Sequence, residues 1–528
     1  MAYAVVANDD LGRRGARAAR WLTLAVAARA ILAFAVQVYF ARLLGPDLYG
    51  VFAAAALVIL VVSTLADMGL AWAMLQAPRL EPATIRFALT WQLLVGAVIA
   101  AALAFAGDEV AALFREPRAA PIIKLMALSV IVYGVSNSGQ NLMLRHLNSR
   151  SLAGMQLFAY VIGYCGVSIA LSLAGMGIWS LVIGVQVNSF LLLLLFAWTL
   201  VRRVPGSELR PAFRARHVGA LLKTSALSVV TALTNWAASN IERAFIARSL
   251  GTAPLGNYST ASNLANVPTN MLISAVTPIF LTLGGRMVEQ PERIGTAFQR
   301  LFALVLVFAM PAFGTLSVVS DELIGLLYGA QWLEAAPVLR IVLLASPALI
   351  VAGIATPVLW NTERQHHESL VQWVMLPLQI GALWYAVRYG LVMAAVTACL
   401  ALVARSTVFT LIAARATGLS LRRLAAKVAL GALLTLLGMS VSWMVSAVLQ
   451  SRILLLALLL PTLLGILAVL GMLLAVPKIL APDEWALIVA LLPGRVRGWI
   501  ERYLARRLPG LDGEIGGDAG PLSRREQA

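Results

Sequence analysis

The residues in this chain that could do chemistry are charged and amide side chains set inside otherwise apolar runs. Between 224 and 284 two such runs meet at a tight turn. In the first, Ser228, Thr231, Asn235, Ser239 and Glu242 recur every three or four residues; in the second, Ser259, Asn263, Asn266, Asn270 and Ser274 do the same. That spacing places each set on one helical face. An amide or carboxylate turned toward hydrocarbon is costly, so the two stripes should line a watery cavity. Arg29, Arg243, Arg405 and Asp67 also fall inside long apolar runs. Arg29 lies too deep in its run for easy snorkelling. A pairing with Asp67 is conceivable, while Arg405 either lines the cavity or makes a structural contact. Glu242 and Asp67 are the carboxylates best placed to couple transport to protons.

The elements that position these groups are membrane helices. The chain has 528 residues, of which 60% are hydrophobic and only 12% charged, with a mean hydropathy of +0.86. A soluble domain carries about 25% charged residues, so the fold class is an all-α polytopic membrane protein. Nucleic acid is excluded as a partner despite the net charge of +17, because the charge is sorted across a bilayer. With both termini inside, only Arg42, Arg115, Arg118, Lys124, Arg248, Arg388 and Arg452 of the 41 basic residues fall outside. This is the asymmetry that sets orientation.

A 1–19 cytoplasmic tail precedes a first lobe of six spans at 20–200. A basic, proline-containing linker at 201–223 leads to a second six-span lobe at 224–413. Two further spans occupy 414–476, giving fourteen crossings. The stretch 477–510 combines Trp485, Trp499 and Tyr503 with arginines at helical spacing and is expected to lie along the inner membrane face; 511–528 reads as disordered. The turns ARLLGPDLYGVF (41–52) and ARSLGTAPLGNY (247–258) share Ala, Arg, Leu, Gly and Gly in register. The match argues for an internal duplication, with a parallel repeat because each lobe has an even number of spans.

Absences narrow the function. There is no Gly-Lys dipeptide and hence no phosphate-binding P-loop for ATP. Cys165 and Cys399 sit apart in apolar runs, His366 and His367 lie in a short polar loop, and no spacing resembles a metal site. No nucleophile–base pair is evident, so the chain is not expected to be an enzyme or to hold a cofactor.

Three stretches bear a resemblance to a known family: RLLGPDLYGVF, LADMGLAWAMLQ and NIERAFIARSLGTAPLGNYSTASNLANVP. With LIGLLYGAQWLEAAPVLRIV, they make the chain similar to Wzx-type flippases of lipid-linked oligosaccharides. That superfamily also holds the lipid II flippase MurJ and the MATE exporters. The resemblance covers about 20–413; one departure is Glu242, where Asp is expected. It implies two six-helix lobes related by a pseudo-two-fold along the membrane normal, with alternating access. The implied substrate is a glycan on undecaprenyl pyrophosphate, moved from the inner to the outer leaflet of the bacterial inner membrane. Arg29, Arg243 and Arg405 would hold the pyrophosphate by charge and fork geometry. Asn235, Ser239, Asn263, Asn266 and Asn270 would serve the glycan. The protein is expected to be a monomer, with a polysaccharide polymerase as the possible protein partner. A MATE-like cation exporter, a lipid II flippase and a membrane glycosyltransferase or ligase are the alternatives.

Overall fold

A computed structural model describes residues 8–507 apart from 77–80, 146–148, 204–210, 214–217, 288–290, 363, 450–452, 491–493 and 506. The disordered tail expected at 511–528 and the stretches 204–210 and 214–217 of the linker therefore lie outside the described residues. Every regular element among the described residues is helical. Among the described residues, eleven helices are long and apolar enough to cross a membrane. Their outward residues, such as Val98, Phe105, Leu194, Leu433, Val448 and Leu467, stay exposed. Apolar surface on that scale fits a lipid environment rather than water.

The helices fall into two compact units. Unit 1 comprises 1–267, 327–338 and 372–398; unit 2 comprises 268–326, 339–371 and 399–528. In unit 1, α1 (Asn8–Asp67) is bent into two legs at Gly45, whose φ of 71° suits glycine alone. Pro46 then opens the second leg, where its missing N–H costs nothing. After α2 (Leu70–Gln76) come α3 (Pro82–Phe105), the short α4 (Gly107–Leu113) and α5 (Ala119–Arg145). Val51, Ala55, Val58 and Ile59 of α1 pack with Leu103 of α3 and with Ile122, Ile123, Met126 and Val130 of α5.

The next span is not uniform. Between α6 (Ser149–Ala159) and α7 (Val167–Leu173) the chain makes a π-helical turn over Tyr160–Gly166. α8 (Ile178–Arg203) packs beside it so closely that a Cβ on Gly163 would lie 2.8 Å from the Asn188 Cα. α9 (Val218–Leu250) and α10 (Thr252–Met287) are each long enough to span a membrane.

Unit 2 carries α11 (Pro291–Leu304), α12 (Met310–Val318), α13 (Ser320–Leu327, its last residue in unit 1), and most of α14 (Ala336–Asn361) and α16 (Leu391–Ala416). The first turns of α15 (Gln365–Ala386) also belong to it. It ends in α17 (Leu421–Leu449), α18 (Leu454–Ala475), α19 (Pro482–Ala490) and α20 (Gly494–Ala505). Trp485 turns into the protein, packed with Leu434, Val469, Leu473 and Leu504, and its indole donates to the Pro477 carbonyl at 2.8 Å. A Lys427–Glu484 pair of 2.5 Å fastens α19 to α17. The Tyr503 hydroxyl donates to the Leu474 carbonyl at 3.1 Å, serving the open end of α18.

Candidate functional site

The two matching turns touch each other. A Cβ placed on Gly50 would stand 1.8 Å from the Thr252 carbonyl oxygen, and one on Gly256 would stand 2.1 Å from that of Pro46. Residues 46 and 252 correspond in the sequence match, as do 50 and 256, so the crossing is reciprocal in the manner of an isologous contact. Gly251, at φ 95°, repeats the conformation of Gly45.

A third turn closes over this crossing. The Trp332 indole, fully buried, donates to the Ala41 carbonyl at 3.0 Å, and Gln331 donates to the Arg42 carbonyl at 2.9 Å. Asn257 donates to Glu334 at 3.1 Å. Tyr49 meets the Trp332 ring edge-on at 5.7 Å. Arg118 adds a fork to both Asp47 carboxylate oxygens, at 2.7 and 3.0 Å, and also binds Glu116. Thr252 donates to Asp47 as well. The Arg118 guanidinium holds the Glu116 carboxyl below its usual value of 4.5. A depressed carboxyl contributes stability that is present above that value and lost as pH falls through the folded-state pKa. Glu116→Gln should therefore lower the melting temperature of the solubilised protein at pH 7, with the difference from wild type shrinking as pH falls below 4.5.

Beneath Tyr49 lies a cavity of about 370 Å³, wholly within unit 1. One face of α1 supplies Ala33, Gln37 and Phe40; the returning leg supplies Tyr49 and Phe52. Tyr160 and Tyr164 come from the π-helical turn, Leu181, Val185 and Asn188 from α8, and Asn263 from α10. The lining contains no carboxylate. Arg243 borders it from α9, donating from Nη2 to the Asn263 side-chain Oδ1 at 3.3 Å. Asn263 is in turn hydrogen-bonded to the Tyr49 hydroxyl. Arg29 stands one helical turn before Ala33, with its guanidinium 5.2 Å from the centre of the Tyr160 ring, a cation–π distance.

Of the residues read from sequence, Arg29, Arg243 and Asn263 thus meet around one cavity. Asn235 and Ser239 are exposed on α9, Asn266 is half-buried and Asn270 exposed further along α10. Glu242 is buried. The conceivable Arg29–Asp67 pair does not form. Asp67 instead accepts from Gln92 Nε2 at 3.2 Å, and Gln92 accepts from Ser138 at 2.8 Å, a buried relay where α1, α3 and α5 meet. The reason is the position of α3, which sets Gln92 beside Asp67; the helix ends just after it, at Met68 and Gly69, both at positive φ. A Cβ on Gly69 would come within 2.6 Å of the Ser225 carbonyl oxygen, so α9 sits directly against the break. Arg405 belongs to unit 2, where it acts electrostatically on Glu368, itself an acceptor from the Trp360 indole at 2.8 Å.

Sequence reasoning missed Gln37, Tyr160, Tyr164 and Asn188. For Gln37 a signal was present: Arg29, Ala33, Gln37 and Phe40 share one helical face. Unit 2 has its own cavity, of about 610 Å³, lined by Phe302, Leu306, Met310, Pro347, Val351 and Val403 among others. Its hydroxyls are already engaged: Ser406 donates to the Ala348 carbonyl at 2.7 Å, Thr407 to that of Val403 at 2.8 Å and Thr410 to that of Ser406 at 2.8 Å. A charged headgroup would find no free donor there, whereas the unit 1 cavity borders two arginines.

Comparison with known proteins gives a consistent picture. A family described as Polysaccharide biosynthesis protein matches residues 39–337. The chain is 26% identical over 337 residues to the succinoglycan biosynthesis transport protein ExoT of Rhizobium meliloti (strain 1021), a match covering 64% of this chain and 66% of that protein. It is 23% identical over 329 residues to the lipopolysaccharide biosynthesis protein WzxC of Escherichia coli (strain K12), covering 61% and 65%. The matched stretch thus spans just under two thirds of the length of these relatives. Among solved structures, the lipid II flippase MurJ in an inward closed conformation aligns with a TM-score of 0.70 at 15% identity, over 87% of this chain and 99% of MurJ. An inward-facing MATE multidrug transporter aligns at 0.55 and 15% identity, over 74% and 94%. These likenesses are likenesses of fold.

Proposed function

We propose a function from one premise: this chain belongs to the polysaccharide biosynthesis protein family. It is a multi-span membrane transporter with the fold of MurJ and the MATE proteins, not an enzyme. In the reading we favour, it carries an undecaprenyl-pyrophosphate-linked oligosaccharide from the inner to the outer leaflet of the bacterial inner membrane. Its product would feed exopolysaccharide, capsule or O-antigen assembly, with a polysaccharide polymerase downstream. Two six-helix lobes and two further C-terminal helices, fourteen crossings with both termini cytoplasmic, would operate by alternating access as a monomer.

The observation that carries this reading is the unit 1 cavity. It has amide and hydroxyl groups on its walls, no lining carboxylate, and Arg29 and Arg243 at its border. A diphosphate needs cationic forks, and its sugars need paired donors and acceptors. Arg405, set against Glu368, has part of its charge answered already. A cation exporter calls for a carboxylate-lined cavity, and this lining has none. Asn235, Ser239, Asn266 and Asn270 extend the polar path along α9 and α10.

The direct test is a deletion strain. Surface polysaccharide should be lost while its lipid-linked precursor accumulates on the inner leaflet, and the wild-type gene should restore export. Normal polysaccharide in the deletion strain would sink the assignment. Glu242 and Asp67 remain the proposed proton-coupling groups. Glu242→Gln should flatten the pH dependence of transport in proteoliposomes; an unchanged profile would remove Glu242 from the coupling role.

A further inference from the structure

Three features of the unit 1 cavity bear on what fills it. The first is its aromatic wall. The π-helical turn widens the helix and brings Tyr160 and Tyr164 together with ring centres 5.1 Å apart and planes 34° from parallel. Single π turns of this kind are recurrent at functional sites. The second is an unanswered donor. Gln37 Nε2 is out of solvent contact and has no hydrogen-bond partner among the described residues, yet Gln37 lines the cavity. A buried amide left unpaired carries a penalty unless a ligand or water satisfies it. The third is size and charge. A volume of about 370 Å³ is at the small end for ligand sites, which run from roughly 300 to 1,000 Å³. The polar lining groups are Gln37, Asn188, Asn263 and tyrosine hydroxyls, all neutral.

We propose that this cavity is a subsite for one uncharged sugar ring, the ring joined directly to the pyrophosphate. The inference rests on the transport reading above. A pyranose presents an apolar C–H face and a polar rim, and the site offers the complement: tyrosine and phenylalanine faces with amides set between them. Arg243 is not itself part of the lining: it donates one bond to Asn263, which it orients toward Tyr49, and its buried Nε has no partner among the described residues, which leaves it to the diphosphate rather than to the ring. Arg29 lies two helical turns before Gln37 on the same face, roughly 12 Å along the axis. Its guanidinium stands 5.2 Å from the centre of the Tyr160 ring on the cavity wall, so a diphosphate held there would present its first ring to the cavity. Gly163 is part of the construction: without a side chain there, α8 approaches the π turn and Asn188 reaches the cavity.

The test uses the full chain in proteoliposomes with two fluorescent lipids: a polyprenyl pyrophosphate bearing one hexose, and the same pyrophosphate without sugar. Wild type should move the sugar-bearing lipid faster. Gln37→Leu should reduce the ratio of the two rates about five- to tenfold, as expected for one hydrogen bond lost in a dry site; Asn188→Leu, a second variant on another helix, should do likewise. A ratio unchanged in both variants, or both lipids slowed equally, would overturn the subsite while leaving the transport reading in place. If wild type moves neither lipid, the transport reading fails, and the subsite with it.

Discussion

Gly50→Ala is expected to destabilise the protein by about 3 kcal/mol or more and to abolish export. Overpacking a tight site typically costs about 1–3 kcal/mol, where side chains can shift to absorb the new atom. Here the added Cβ would meet a backbone carbonyl oxygen at 1.8 Å, and a backbone cannot swing aside as a side chain can. Gly256→Ala should behave alike, since its Cβ would meet the Pro46 carbonyl at 2.1 Å. Gly154 supplies the control: nothing lies within 4 Å of a Cβ there, and alanine is the better helix former by up to about 1 kcal/mol. Thermal unfolding of the three variants in one detergent, alongside surface polysaccharide levels, decides the matter. A Gly50→Ala protein melting within a degree or two of Gly154→Ala would show that the two turns do not press on each other.

Arg29→Ala should lower the initial rate of lipid-linked substrate transport by between about ten- and a hundredfold, the range for removing a hydrogen bond between charged groups. Its effect on folding should be far smaller, because a cation–π contact at an exposed position is worth about 0.5–1 kcal/mol. The two measurements together separate a binding role from a structural one. Arg29→Lys should fall between wild type and alanine, keeping the charge and losing the fork. Rates within twofold of wild type for the alanine variant, at equal protein in the membrane, would remove Arg29 from the pyrophosphate site.

Much of this was legible in the residues. The paired turns at 41–52 and 247–258 announced themselves by composition, and the structure sets them against each other through their shared glycines. The polar faces of α9 and α10 were visible at helical spacing, and Asn263 was found by that means. Other parts could not be read. YVIGYCG looks like any apolar stretch; its π-helical register accompanies the close approach of Gly163 to Asn188, a contact between distant segments. Asp67 carries no mark that would distinguish Gln92 from Arg29 as its partner, since the choice depends on where α3 lies. The same holds for Arg405, whose neighbour Glu368 falls in a stretch that reads as a solvated loop and instead opens α15. Local periodicity shows which face a residue occupies, but it does not identify the helix opposite that face.

The meeting of the two turns also governs how the joint can come apart. Each glycine lies against a backbone carbonyl of the opposite turn. Because both contacts join the same two turns, loosening one would weaken the other, and the joint should favour two settings over a continuum. A bound cargo acting on Tyr49, which touches both the cavity and Trp332, would pull on both fastenings at once.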